Sequence, residues 1–225
     1  MCSHFESVAS HRVLADHFNL TESAPHSIES IKTDVWPGYA TWMIRRQSQS
    51  TRVAEAAVFG LIPTWAKDRQ ISRYTYNARA ETVMAKPSFR DAWAKHQHCI
   101  VPASAIYEPD WRSGRALASR IEAIDQLPMA LAGLWSEWRD DQGQVLLSFS
   151  LLTISAATHP LMKNFHRPQD EKRMVVILPN DHHDAWLNAH EGERLALLQP
   201  YPAELLHSHT QAQDAPPQPS LFAEP

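Results

Sequence analysis

Cys2 stands directly after the initiating methionine. With Met1 removed, its α-amine and thiol sit on adjacent carbons of the first residue, and methionine excision normally requires a small second residue such as this one. A 1,2-aminothiol traps aldehydes: the amine condenses to a Schiff base and the thiol closes it to a thiazolidine ring. An ordinary α-amine titrates at about 7.7–8.0 and an ordinary thiol at about 8.5, so both are partly nucleophilic near neutrality. Many chains carry Cys after Met with no chemical purpose, so the rest of the sequence decides whether this pair is used. Capture of an aldehyde would need three further parts. They are a proton acceptor for the amine, an acid or base for the carbinolamine and ring steps, and a neutral hydrogen-bonding group to hold the partner.

Positioning such parts takes a core. A chain of 225 residues with 44% hydrophobic and 20% charged content is enough for one soluble domain. The pattern predicts an α+β fold without a repeating βαβ unit. Strands are expected at 39–46, 53–59, 98–103, 104–108, 127–135, 145–154 and 173–178. Helices are expected at 78–86 and 88–95, separated by Pro87 with Ser88 as cap of the second, around 156–165, and from Asn180 or Asp181 to about Ala189. No apolar run approaches a membrane span, and MCSHFESVAS lacks the basic and apolar regions of a signal peptide. Two cysteines make no disulfide framework, so a reduced, cytoplasmic protein is expected, taken as a monomer, in which Cys99 is a small buried hydrophobe.

The net charge of −4 conceals an asymmetry. From Lys67 to Lys95 seven basic residues face three acidic ones, and from Lys163 to Arg173 four face two, which leaves −10 on the remainder. That distribution suits a basic groove on an acidic body, although charge runs also occur as plain solvated faces.

Four segments carry the chemistry together: Met1-Cys2; FGLIPTWAKD with TYNARAET (59–82); HCIVPASAIYEPDW (98–111); and TISAATHPLMKNFHRPQDEKRMVVIL (153–178). Over roughly residues 2–190 the chain resembles the SRAP family (SOS response-associated peptidase). Met1-Cys2, Gly60–Trp65, Asn77–Thr82, Tyr107-Glu108 and His166 match the family pattern in order. The resemblance implies a single SRAP-like domain, residues 2–207, with a mixed, strongly curved sheet flanked by short helices. It implies covalent capture of abasic sites in single-stranded DNA, with strand cleavage as a lyase, crosslink reversal and removal of Met1 as further activities.

Within that pattern Glu108 would stand beside the Cys2 amine as the carboxylate. His166 would protonate the sugar ring oxygen or the intermediate, and Asn77, which donates and accepts at once, would hold amine and sugar. A strand-end surface Glu, a solvated His and a turn Asn opening a helix are the plainer readings. The resemblance also implies that Arg79 pairs with phosphate beside the extruded sugar and that Trp65 and Pro63 form an apolar platform for a neighbouring base. Arg90, Lys86 and Lys67 are weaker phosphate contacts. The chain departs from the family pattern at Ser3, Asp34, Phe59, the Pro109-Asp110-Trp111 run after Glu108, and an insertion at Pro168–Lys172.

Two other functions stay open: a thiol hydrolase with Cys2 as nucleophile, His166 as base and Asn77 as oxyanion donor, and a non-covalent binder of single-stranded or modified DNA. From Ser208 the chain becomes rich in Gln, Pro and Ala, which predicts a disordered tail over 208–225. There Gln218-Pro219-Ser220-Leu221-Phe222 resembles the pentapeptide by which bacterial repair proteins bind the sliding clamp. His182, His183, His190, His207 and His209 show no metal-ligand spacing, so neither a metal nor a cofactor is expected.

Overall fold

A computed structural model of the protein describes residues 2–21, 31–48 and 51–210. Among these residues the strands are β1 (Phe5–Ser7), β2 (Asp34–Val35), β3 (Ala40–Ser48), β4 (Thr51–Phe59), β5 (Asn77–Arg79), β6 (His98–Asp110), β7 (Leu117–Ala123), β8 (Met129–Arg139), β9 (Val145–Ser155), β10 (Arg173–Val175), β11 (Ile177–Leu178) and β12 (Leu206–Thr210). Three α-helices accompany them: α1 (His11–Phe18), α2 (Arg90–Ala94) and α3 (His183–Asn188). The result is a mixed-sheet α+β domain in which the helices are short. No helix among the described residues is long and apolar enough to cross a membrane.

The sheet closes on itself. β8 pairs antiparallel with β9, β9 runs parallel beside β4, β4 pairs with β3, β3 touches β6, and β6 returns to β8 over His98–Ala103. Phe5, Phe59 and Phe149 fill the interior with ring centroids 5.3–6.5 Å apart. Burying an aromatic side chain of this size contributes on the order of 1.5–3 kcal/mol. Two glycines mark where backbones approach too closely for a side chain. Gly60, at φ +117°, would put a Cβ into the Ser72 backbone, and Gly133 would put one 2.8 Å from the Cys99 sulfur. Cys99 is fully buried.

β6 is the hub. Its first half pairs with β8, its middle with β1 and its second half with β7, so one long strand stands where the sequence suggested two. The change of partner near Ala103 falls at the boundary expected from the sequence between two strands. The run 173–178 shows the reverse: Val176 donates to Leu152 on β9 and accepts from Ala132 on β8, which splits it into β10 and β11.

Three predicted helices are corrected. Residues 77–79 are a strand, because Asn77, Ala78 and Arg79 pair in register with Leu151, Leu152 and Thr153 of β9, and the chain then turns through Thr82 to Ala85. The helix expected at 88–95 shrinks to α2, whose N-cap is Phe89 rather than Ser88, with no side-chain cap. The segment 156–165 keeps only a 3₁₀ turn at Met162–Asn164. Pro160 disfavours helical backbone at His159, whose Nδ1 instead accepts from Leu161 and Met162. The helix expected near 180–189 is present as a 3₁₀ turn leading into α3. At the C-terminal end Ser208, His209 and Thr210, assigned to the tail by composition, pair with Ile121, Arg120 and Ser119 of β7.

Candidate active site

Four chain segments converge at the start of β1. The β1–β6 pairing brings the N-terminal segment alongside Tyr107 and Glu108: Phe5 lies opposite Ile106, and Tyr107 donates to the His4 carbonyl at 3.0 Å. Asn77 opens β5 and donates from Nδ2 to the Cys2 carbonyl at 2.7 Å. His166 is held against the end of β6 by its backbone N–H, 2.8 Å from the Pro109 carbonyl, while Asp110 bridges to Phe165.

The electrostatics at Cys2 are unusual for a nucleophile. The residue is fully buried and its Sγ donates to the His4 carbonyl at 3.4 Å. Burial pushes the thiol well above its ordinary range, and the Glu108 carboxylate pushes it further. The thiol is therefore held protonated, the opposite of a thiolate stabilised by an adjacent cation. Glu108 is itself buried, with its Oε2 3.3 Å from His166 Nε2. The same imidazole nitrogen lies 3.2 Å from the Arg173 carbonyl. Asn77 Oδ1 is buried without a hydrogen-bond partner among the described residues, an acceptor ready for a donor from outside the protein.

His166 adopts φ +64°, a left-handed backbone that costs a non-glycine residue on the order of 1–3 kcal/mol. The inserted segment Pro168–Lys172 surrounds it. Asp170 turns back on Arg167, and the Lys172 ammonium donates to the carbonyls of Phe165, His166 and Arg167 at 2.9, 3.1 and 2.7 Å. Glu171 of the same segment reaches Arg79 Nη1 at 2.9 Å and Arg173 Nη1 at 2.7 Å, and Arg173, buried, also binds Glu81 at 2.8 Å. Glu171 is held below the ordinary carboxylate range, first by its hydrogen bond to Arg173.

The groups expected at a DNA surface differ in exposure and in partners. Arg79 is half-exposed and paired with Glu171. Trp65 is 52% exposed, with Nε1 anchored 3.3 Å from the Pro87 carbonyl. Pro63 is buried in the turn after Gly60, so of the two residues expected to form an apolar platform only Trp65 offers exposed surface. Lys67, Lys86 and Arg90 are exposed, the last beside Asp91 at 3.5 Å. Gln218, Leu221 and Phe222 lie outside the described residues.

Two features escaped sequence reasoning. Tyr76 is half-buried beside the site; burial raises its phenol above the ordinary range, and the nearby Glu108 carboxylate raises it further. Its place immediately before Asn77 was the available signal. His4 is sandwiched between Trp36 and Tyr107, centroids 3.9 and 4.2 Å away and nearly parallel, with Nε2 2.5 Å from Asp34 Oδ1. Burial lowers the His4 pKa despite the Asp34 carboxylate. The stack locks the residue whose carbonyl holds the Cys2 thiol, and no local pattern announces a contact made across three strands. Asp34 is thereby engaged by His4 and, at 3.3 Å, by Trp36 Nε1. Among the described residues no three His, Cys, Asp or Glu side chains are grouped as a metal site requires.

Comparison with known proteins adds the following. A family model described as SOS response associated peptidase (SRAP) matches residues 1–214. Abasic site processing protein YoaM of Bacillus subtilis (strain 168) is 31% identical over 215 residues, covering 93% of this chain and 90% of that protein. A crystal structure of a Bordetella bronchiseptica protein superposes with a TM-score of 0.84 at 38% identity, over 94% of this chain and all of the other. A Bacteroides thetaiotaomicron protein gives 0.81 at 25% identity, over 95% and 93% of the two chains.

Proposed function

Because the chain belongs to the SOS response associated peptidase family, we propose that it captures abasic sites in single-stranded DNA through a thiazolidine formed by Cys2. The observation that carries this reading is the convergence of Cys2, Asn77, Glu108 and His166, from four distant segments, on one buried point. The relatives' shared name, abasic site processing protein, agrees with it.

The chemistry runs as follows once Met1 is gone. His166 delivers a proton to the ring oxygen as the deoxyribose opens to its aldehyde, while the C1′ hydroxyl proton passes to Glu108 and from it back to His166. Glu108 takes a proton from the Cys2 ammonium, and the freed amine adds to C1′ to give a carbinolamine. Loss of one water, with a proton from His166 or Glu108, leaves the imine. The Cys2 sulfur then bonds to C1′ as its proton passes to the nitrogen, so the net product is a thiazolidine and one water. The order follows from the chemistry, because the amine must form the imine before the thiol can close the ring. Asn77 Oδ1 accepts from the amine or from a sugar hydroxyl during these steps. Ring closure also protects the strand, since an imine left open permits β-elimination of the 3′ phosphate.

Arg79, with Lys67, Lys86 and Arg90 as further cations, would track the phosphates, and Trp65 would stack a neighbouring base at about 1–3 kcal/mol. A thiol hydrolase is disfavoured, because the Cys2 environment opposes the thiolate which that chemistry requires. The tail peptide Gln218-Pro219-Ser220-Leu221-Phe222 would tether the protein to a sliding clamp.

The test is direct. Purified protein, checked by intact mass for Met1 removal, is incubated with oligonucleotides bearing an abasic site or an intact base and run on a denaturing gel. A heat-stable adduct is expected only with the lesion and never with Cys2→Ala. A shift on native gels without any covalent product would leave only the non-covalent binder.

A further inference from the structure

We propose that Lys172 is a positioning residue for His166, its ammonium clamping three successive carbonyls so that the imidazole is presented to Glu108. The proposal deepens the reading of the site given above and rests on it.

The argument starts from the number of donors. An ammonium has three N–H groups, and Lys172 places them on the carbonyls of Phe165, His166 and Arg167 at 2.9, 3.1 and 2.7 Å. Successive carbonyls of extended backbone point in opposite directions, so three in a row face one cation only where the chain reverses. The reversal here is the left-handed conformation of His166. That conformation is unfavourable for histidine and persists only where surrounding structure over-determines it. Among the described residues, the His166 N–H on Pro109, the Asp110–Phe165 bridge and the lysine hold this backbone. The lysine is anchored in turn. Its own carbonyl accepts from Ala156 at 2.7 Å, and the next residue, Arg173, offers its carbonyl to His166 Nε2 at 3.2 Å. Residues 172 and 173 thus grip the backbone and the ring of the same histidine. A solvated lysine merely capping a turn would have no bearing on where that ring points.

Lys172→Met keeps the stem and removes the donors; Lys172→Arg keeps a cation with several donors. Three quantities are measured: the single-turnover crosslinking rate with an abasic oligonucleotide, the affinity for an oligonucleotide carrying the unreactive tetrahydrofuran analogue, and the His166 ring resonances of the ¹⁵N-labelled free protein. A small misplacement of a reacting group costs on the order of ten- to a hundred-fold in rate, which is the loss expected for Lys172→Met. Analogue affinity should stay within about two-fold, the His166 resonances should move, and Lys172→Arg should recover most of the rate. Lys172→Met reacting at the wild-type rate with His166 unmoved overturns the proposal, as does an equal loss in both variants with His166 unmoved. The ring resonances are read without DNA. A wild type that forms no adduct, in which Lys172→Met still shifts His166, therefore sinks the capture reading and leaves the clamp standing. If Lys172→Met does not fold, the wild-type Lys172 ammonium signal decides: a slowly exchanging resonance at neutral pH supports the clamp, and rapid exchange refutes it.

Discussion

Two buried histidines mark the opposite ends of β6, and they have been treated differently. His98 opens the strand, packed 4.4 Å from the Trp186 ring, and neither of its buried ring nitrogens has a hydrogen-bond partner of normal geometry among the described residues. Burial, then the Arg194 guanidinium, drives its pKa down to about 3. His166, held at the far end of β6, is as well buried but has a carboxylate, a carbonyl and a lysine-clamped backbone around it. Burial alone makes an imidazole neutral and inert, a polar filler for an aromatic pocket. Burial with partners makes it a group that can pass a proton in a fixed direction. The arginines repeat the contrast: Arg194 is sealed over the Trp93 ring at 4.4 Å, whereas Arg79 stands half-exposed where a phosphate can reach it.

The contrast can be broken hardest at the site. Glu108→Gln should slow crosslinking on the order of 10²- to 10⁴-fold, the usual worth of a general acid or base, while analogue affinity stays unchanged. A rate within three-fold of wild type would erase the distinction between the two ends. The inert end should answer in stability instead. An unfolded histidine takes up its proton below about pH 6.5, whereas His98 resists protonation until about 3 and His183 until about 4. Folded pKa values below the unfolded ones mean the contribution is complete above about pH 6.5 and lost as pH falls, at roughly 1.4 kcal/mol per pH unit for each group. Denaturant midpoints measured from about pH 7 to 4 should therefore fall less steeply in His98→Leu, with crosslinking at pH 7 unaltered. The smallest effect belongs to Arg79→Ala: a few-fold loss of single-strand affinity and a salt slope shallower by about 0.7, read by fluorescence anisotropy across salt concentrations. Arg194→Ala should leave both untouched and lower the melting temperature.

Long strands were legible because their alternation and β-branched content are local properties. β3, β4, β8 and β9 fall close to where the sequence placed them. The misplaced helix at 78–86 and the missed strands β1 and β2 share one cause. Asn77-Ala78-Arg79 has helical propensity, yet an open position beside β9 outweighs it, and β1 and β2 are too short to signal themselves without their partners. At the site, ordered motifs singled out Cys2, Asn77, Glu108 and His166, which the fold brings together. Pro63 was misjudged because a motif records identity and not orientation. The Trp36–His4–Tyr107 stack and the Lys172 clamp were invisible because each joins positions whose spacing means nothing until the chain is folded.

The pairing of β1 with β6 also sets a clock. β1 is made well before β6, and Cys2 well before the Asn77 that holds its carbonyl, so this strand waits for about half the chain before it can dock. At about 5–20 residues per second that wait lasts several seconds. Afterwards Cys2 is sealed from solvent. On the chemistry proposed above, removal of Met1 would fall within that interval, so slower or faster translation of the first hundred codons is expected to change the fraction of molecules with a reactive end.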